Sequence, residues 1–513
     1  MSDIRSYEQV EIDFHPKTAP LEKIKDKTKI DLRYCLISPF AFVHIFWDEK
    51  IYELSYEIEE PILTKQEKDY LDQLNSAIRD LINFEGVIER DELALLEYID
   101  KRLKILAIEF GMDIPYESYK KIYYYLCRDF IGINEIEPIL RDYFVEDIEC
   151  NGINSPVYVI HRLYRSIKTN IIFPSMDRME SLVEKLAQRC GKHISYAEPI
   201  LDGSLPDGSR INATYTTDIS SKGPTFTIRK FTKTPWTPTQ IVAFRTLSPE
   251  MMAYLWMLVQ YKMNILITGG TASGKTTLLN AIAFFIPPES RVVSIEDTRE
   301  LNLPRDNWLP SVVRGATGNK GNEITLFTLL RSSFRQNPDY VIVGEVRGKE
   351  ASVLFQGMAS GHSSISTMHA DSVETLIKRL ETPPIELSPT LLNVLDCVCI
   401  MTHAIVGNQE TRKLREIVEI VNVNLDGTAV INTPFTWNPA DDQFYFKKSS
   451  RVFEKISRRY GVRLEELEVE FRRRVKIIYE LYKRKIAKFE EVQELVNKYY
   501  KRPDEVLKEL GIE

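Results

Sequence analysis

Apolar residues recur at intervals of three and four along "ERDELALLEYIDKRLKILAIEFGM" and "PYESYKKIYYYLCRDFIGINEIEPIL", the spacing that lines one face of an α-helix. Residues 86–144 are therefore expected to form a helical subdomain. Ahead of them, residues 1–85 mix β-like runs such as "RYCLISPFAFVHIFW" with proline and charge, a globular stretch without a motif. From 145 to 231 the rhythm changes to alternation. "SPVYVIHRLY" and "SIKTNIIF" read as strands and "MDRMESLVEKLAQRCGK" as a helix, while "LPDGSRINATYT" and "PTFTIRKF" read as strands around Asp-Gly and Gly-Pro turns. A small α+β domain is expected there. In "TKTPWTPTQ", Pro235 and Pro238 interrupt helix and sheet alike, so residues 232–240 read as a linker and hinge.

From 241 to 513 strands and helices alternate: "NILIT", "GKTTLLNAIAFFI", "RVVSIED", "LFTLLRSSFRQ", "YVIVGE", "KEASVLFQGMAS", "SSISTMHA". That order predicts an α/β domain with a mostly parallel sheet and helices on both faces. The tail from about Arg451 is helical and rich in basic residues, and reads as a solvated helix pair or as a docking surface. The apolar run "MMAYLWMLVQYKMNILI" carries Lys262 and leads into a glycine-rich loop, so it reads as a helix followed by a core strand rather than a membrane span.

Composition narrows the classes. A length of 513 residues favours roughly two to four domains. The 67 Lys and Arg against 74 Asp and Glu leave a net charge of -7, which argues against a surface built throughout for nucleic acid. The cysteines (Cys35, Cys127, Cys150, Cys190, Cys397, Cys399) show neither a disulfide framework nor paired zinc spacing, so a reducing compartment and no zinc are expected. The acidic start "MSDIRSYEQVEIDFHP" lacks the features of a secretory signal.

The chemistry concentrates after "NILIT". Gly269, Gly274, Lys275 and Thr276 fit G-x-x-x-x-G-K-[ST] between a strand and a helix. Glycines let the backbone amides of Gly269, Gly270, Thr271, Ala272, Ser273, Gly274, Lys275, Thr276 and Thr277 turn towards phosphates. Lys275 can reach the outer phosphates of ATP or ADP, and the Thr276 hydroxyl can ligate Mg²⁺. Hydrolysis also needs carboxylates, and two candidates stand where strands should end: Glu296, beside Asp297 in "RVVSIEDTRE", and Glu345 in "PDYVIVGEVRG". His362 and His369 flank a short apolar run, the second emerging at the strand end.

In this order, "GGTASGKTTLLN", "IED", "VGEVRG" and "GHSSISTMHA" resemble the motifs of the secretion ATPase superfamily of type II secretion, type IV pili and conjugation systems, over roughly residues 145–410. The resemblance implies a RecA-like P-loop core in which Gly269 to Thr277 is the Walker A loop. It makes Glu296 the catalytic base of the Asp box, Glu345 the Walker B glutamate and a metal-side group, and His362 and His369 the His box. Arg347 follows the Walker B glutamate as in the family, whereas Gly344 stands where many such ATPases have a metal-side Asp. The resemblance also sets arginines of the small domain against the nucleotide, here Arg210 and Arg229, for each of which a surface salt bridge is an equal alternative. It implies a cytoplasmic homohexamer, held at the membrane by a polytopic platform protein and accessory filament-motor proteins. Length, the absent tetracysteine insertion and the large N-terminal region are similar to the archaeal branch, and within it to the ATPases of the archaellum, with archaeal pilus ATPases as near neighbours. The competing class is a nucleic-acid translocase of a conjugation-type system, which the overall acidity does not favour. A small-molecule kinase lacks a recognisable acceptor pocket, and an ABC-type ATPase would need an LSGGQ-like signature that is absent.

Overall fold

The structure, a computed structural model, describes residues 4–16, 21, 24, 26–85, 92–231, 234–303, 305–314, 323–407, 409–447 and 449–512. The start of the expected helical subdomain (86–91) and of the expected linker (232–233) lie outside the described residues. The chain divides into two compact units, Met1–Phe231 and Thr232–Glu513.

In the first unit, strands β1 (Asp31–Ile37), β2 (Ala41–Asp48), β3 (Glu53–Glu59), β4 (Val145–Cys150), β5 (Pro156–His161), β6 (Arg165–Ile172), β7 (Ile200–Ser204), β8 (Arg210–Thr214) and β9 (Thr225–Arg229) make one nine-stranded sheet, ordered β1-β2-β3-β6-β5-β4-β9-β8-β7. Alternation assigns the faces: in β2, Ala41, Val43 and Ile45 are buried and Phe42, His44 and Phe46 half-buried. The parallel pairing of Ser55 with Lys168 and Tyr56 with Thr169 joins the N-terminal meander to the later strands. Segments 1–85 and 145–231, separate in the sequence reading, thus share one sheet, and one core joins them to segment 86–144, taking in Leu74, Leu103, Ile122 and Tyr123 from the helices. Asp142 pins the seam. Its carboxylate accepts hydrogen bonds from Tyr34 (2.8 Å), Tyr56 (2.6 Å) and the Phe144 amide (2.8 Å), and its carbonyl accepts one from Lys230.

The second unit holds β10 (Ile265–Gly269), β11 (Val292–Glu296), β12 (Trp308–Val312), β13 (Tyr340–Val346), β14 (Ser363–Met368), β15 (Cys397–Val406), β16 (Gln409–Val423), β17 (Ala429–Asn438) and β18 (Gln443–Phe446), in the order β12-β11-β13-β14-β10-β15-β16-β17-β18. Pairings from β12 to β15 are parallel, and those from β15 to β18 antiparallel. Period-2 alternation sorts the same strands into two cores. Ile265, Ile267, Val292, Ile342, Cys397 and Cys399 face helices Pro249–Gln260 and Lys275–Ala283. Leu266, Val293, Ile295, Val341, Val343 and Val398 face helices Leu326–Ser333, Glu350–Ala359 and Val373–Glu381. Among the described residues no helix is long and apolar enough to cross a membrane.

Two expectations are corrected here. Pro238 does not break structure but begins helix Pro238–Ala243, where its fixed φ suits the first turn and Thr237 and Gln240 close a capping box. The basic tail is not a solvated pair. Helices Arg451–Tyr460, Leu464–Lys483, Phe489–Lys501 and Pro503–Leu510 bury Ile456, Leu467, Ile477, Ile478, Val492, Val496 and Val506 in the first of the two cores. Arg474 is buried with them: its Nε donates to Glu470 at 2.9 Å, it also bonds Gln260, and its guanidinium lies 4.8 Å from the Trp256 ring centre. The tail also holds the end of the Lys275–Ala283 helix, because Gln493 donates to the Phe284 carbonyl (3.2 Å) and Tyr500 to that of Phe285 (2.6 Å). Arg474→Ala is expected to lower the unfolding free energy of this unit by about 3 kcal/mol, the scale of breaking a buried ion pair. Denaturant unfolding checks this, and an unchanged midpoint would show the guanidinium to be dispensable.

Candidate functional site

The carboxyl end of β10 opens the site. Gly269 (φ +148°) could carry no side chain, since a Cβ there would lie 2.4 Å from the Met401 carbonyl. Gly274 (φ +94°) turns the chain into the Lys275–Ala283 helix and supplies no side-chain cap, so the first-turn amides are left for a ligand. Between them Ser273 donates to the Gly270 carbonyl at 2.8 Å, while Thr271 and Ala272 stand exposed at the crest. Lys275 is folded back on the loop, donating to the carbonyls of Gly269 (3.1 Å) and Gly270 (2.8 Å). Burial lowers its pKa, and Glu345 opposes that shift. Thr276 and Thr277 are half-buried in the first turn.

The two carboxylates differ in state. Glu296, at the end of β11, is 1% exposed. Its Oε1 accepts from the amides of Glu300 and Leu301, both at 2.9 Å, and its Oε2 has no hydrogen-bond partner. Burial pushes its pKa up to about 7 against the pull of those amides. Gly344 makes room for it, since a Cβ at that position would lie 3.1 Å from the Glu296 Cγ. Glu345 accepts from the Arg347 guanidinium at 2.6 Å. Half-burial would raise its carboxyl, but Arg347, Lys275 and His369 outweigh burial and hold it below the usual range. Arg347 also stands 4.0 Å from Asp297.

The histidines separate. His369 follows β14 at its carboxyl end, beside Glu345, and its carbonyl accepts from Arg379 at 2.7 Å. His362 precedes the strand, at the end away from the loop, with Nδ1 3.3 Å from the Gly357 carbonyl and its ring 4.9 Å from that of Phe334. Sequence spacing could not distinguish them, because six strand residues carry the chain from one end of the sheet to the other. Arg210 and Arg229 belong to the first unit, where they face each other across β8 and β9 with Asp147 next in the row. Arg210 also pairs with Asp202 at 3.3 Å on the surface.

Sequence reading missed two neighbours of the loop. Asp371 Oδ1 comes within 3.8 Å of a Cβ built on Gly270, and the Arg412 side chain lies against Gly274. Asp371 falls two residues beyond His369 and could have been suspected from that. Arg412 reaches the loop only through strand pairing, which no local pattern displays.

This geometry defines an α/β protein with a RecA-like P-loop core. Residues 135–424, more than half of the chain, match the family described as Type II/IV secretion system protein, and the chain belongs to that family. It is 37% identical over 465 residues to the protein MJ0900 of Methanocaldococcus jannaschii, covering 88% of this chain and 81% of that one. It is 32% identical over 228 residues to the type IV secretion system protein PtlH of Bordetella pertussis, covering 40% of this chain and 67% of PtlH. Among solved structures it is similar to the VirB11 ATPase of the Brucella suis type IV secretion system, with 26% identity and a TM-score of 0.28, over 55% of this chain and 94% of that one.

The Glu296 carboxyl is expected to titrate near pH 7 in carbon-detected NMR. Gly344→Ala, by displacing Glu296 towards water, should bring that midpoint down by more than about one pH unit. An unmoved midpoint would mean that Gly344 does not hold the pocket.

Proposed function

We propose that the chain hydrolyses ATP at the β10 loop and uses the energy to drive a secretion- or pilus-type machine, specifically assembly, with or without rotation, of an archaellum or type IV pilus-like filament. The observation that supports hydrolysis most directly is the pair of unlike carboxylates at the loop. Glu296 is buried, half unpartnered and poised near neutrality to accept a proton from water, while Glu345 stays ionised beside Lys275. Arg347 holds Glu345 in place, and His369 lies next to it. Membership of the Type II/IV secretion family, and the kinship with PtlH, support the class of machine.

Mg²⁺ suits the residues present. It takes few protein ligands and completes its shell with water and phosphate, and Thr276 and Glu345 are the residues that would hold it. Among the described residues no group of three His, Cys, Asp or Glu side chains is arranged for a metal. When bound, the ion would neutralise phosphate charge. Arg210 and Arg229, at paired positions on an exposed sheet face, are proposed as a second anion-binding feature. The working form is proposed to be a homohexamer at the cytoplasmic face of a membrane, acting on a polytopic platform protein together with accessory motor proteins.

Phosphate release assays test the reading. Lys275→Ala should abolish turnover, and Glu345→Gln should retain ATP while hydrolysing it at least about 100-fold more slowly. Because Glu296 accepts a proton only when ionised, kcat/KM should fall about tenfold per pH unit below about 7, and Glu296→Gln should remove that limb along with most of the rate. Full activity in Lys275→Ala, or a flat profile between pH 6 and 8 in the unmodified protein, would sink the assignment.

A further inference from the structure

On the side of β10 away from β13 and β14, β15 and β16 continue past the strand ends as a two-stranded arm. Gly269 pairs with Met401, the pairing of β15 with β16 shifts register there, and the arm runs outward through the pairs Met401–Leu414, His403–Arg412 and Ile405–Glu410. Alternate positions of a strand share a face, so Met401, His403 and Ile405 look the same way as Leu414, Arg412 and Glu410. That face looks onto the loop: a Cβ built on Gly274 would lie 3.4 Å from Met401 Cε and 3.4 Å from Arg412 Cδ.

Arg412 is exposed, and among the described residues its guanidinium makes no hydrogen bond or ion pair. It stands beside the uncapped amino end of the Lys275–Ala283 helix, itself electropositive. Glu410, on the same face, is engaged by His403 at 3.3 Å rather than by Arg412, and an anion set between the guanidinium and the helix end would be attracted by both. The remaining geometry orients such an anion. Glu296, Glu345 and His369 all lie on the β13–β14 side of β10. A nucleotide with its reacting phosphate on that side carries its other phosphates and its nucleoside towards the arm.

We propose that the arm is the nucleoside-side wall of the site. Arg412 binds a phosphate common to nucleoside di- and triphosphates, and Ile405, 71% exposed on the same face, offers an apolar surface to the base. This rests on the ATP reading above, and it separates residues that hold the nucleotide from residues that act on its last phosphate. Such a grip makes Arg412 a determinant of how tightly the product is retained.

The test is titration calorimetry on the full chain with ADP and with a non-hydrolysed ATP analogue, for the wild type, Arg412→Gln and Arg412→Lys, with thermal unfolding followed in parallel. Losing one hydrogen-bonded charge pair should weaken both ligands about tenfold or more, and by equal factors. Arg412→Lys should recover part of the loss, with unfolding temperatures unchanged. Unaltered ADP affinity in Arg412→Gln, or a loss confined to the ATP analogue, would overturn the proposal and leave the ATP reading standing. A wild-type chain that bound neither ligand would overturn both.

Discussion

The register of β10 against its two parallel neighbours fixes the site. Thr268 lies opposite Met368 and Ile400, and Gly269 opposite Met401, so β10 and β14 end level with one another at the turn into the loop while β15 runs on beside it. His369 and Asp371 then follow from β14, and the arm bearing Arg412 from β15. A slip of one residue in either pairing would exchange the side chains facing the two cores and carry these groups away from the loop together. The strands resist such a slip because every residue of β10, β11 and β14 is buried and their apolar side chains are divided between two separate cores.

Within that frame the charges are arranged by environment. Glu296 and Glu345 are the same residue type at neighbouring strand ends, yet burial raises one while an arginine and a lysine lower the other. The absence of a side chain at Gly344 permits the difference, by letting the Glu296 carboxyl sit in a dry pocket with one oxygen satisfied and the other not. A larger residue there would press on the Glu296 side chain, since even a Cβ would lie 3.1 Å from its Cγ.

What could be read from the chain follows the range of the interactions involved. The loop, the helix after it and the strand-end carboxylates were legible because local spacing encodes them: glycines at the turns, lysine and threonine at the helix start, acids after runs such as "YVIVGE". Features set by distant pairing were not. The joining of β3 to β6 into one sheet, the placement of Arg412 and the burial of Arg474 in a helix that reads as basic and wet all depend on contacts remote in sequence. Pro238 misled for another reason, because the ring that blocks a helix interior also favours a helix start. His362 and His369 looked equivalent only until the strand between them separated its two ends.

The bonds that Gln493 and Tyr500 make to the carbonyls of Phe284 and Phe285 tie the far end of the phosphate-loop helix to the last part of the chain. With Trp256 stacked on Phe285 at 4.8 Å, the joint is packed like a splint, coupling the loop helix to the tail. Any rearrangement that began at the loop would therefore be felt first as a load on the C-terminal helices. Helix Phe489–Lys501 is thereby a bearing surface for the loop helix rather than an appendage to it.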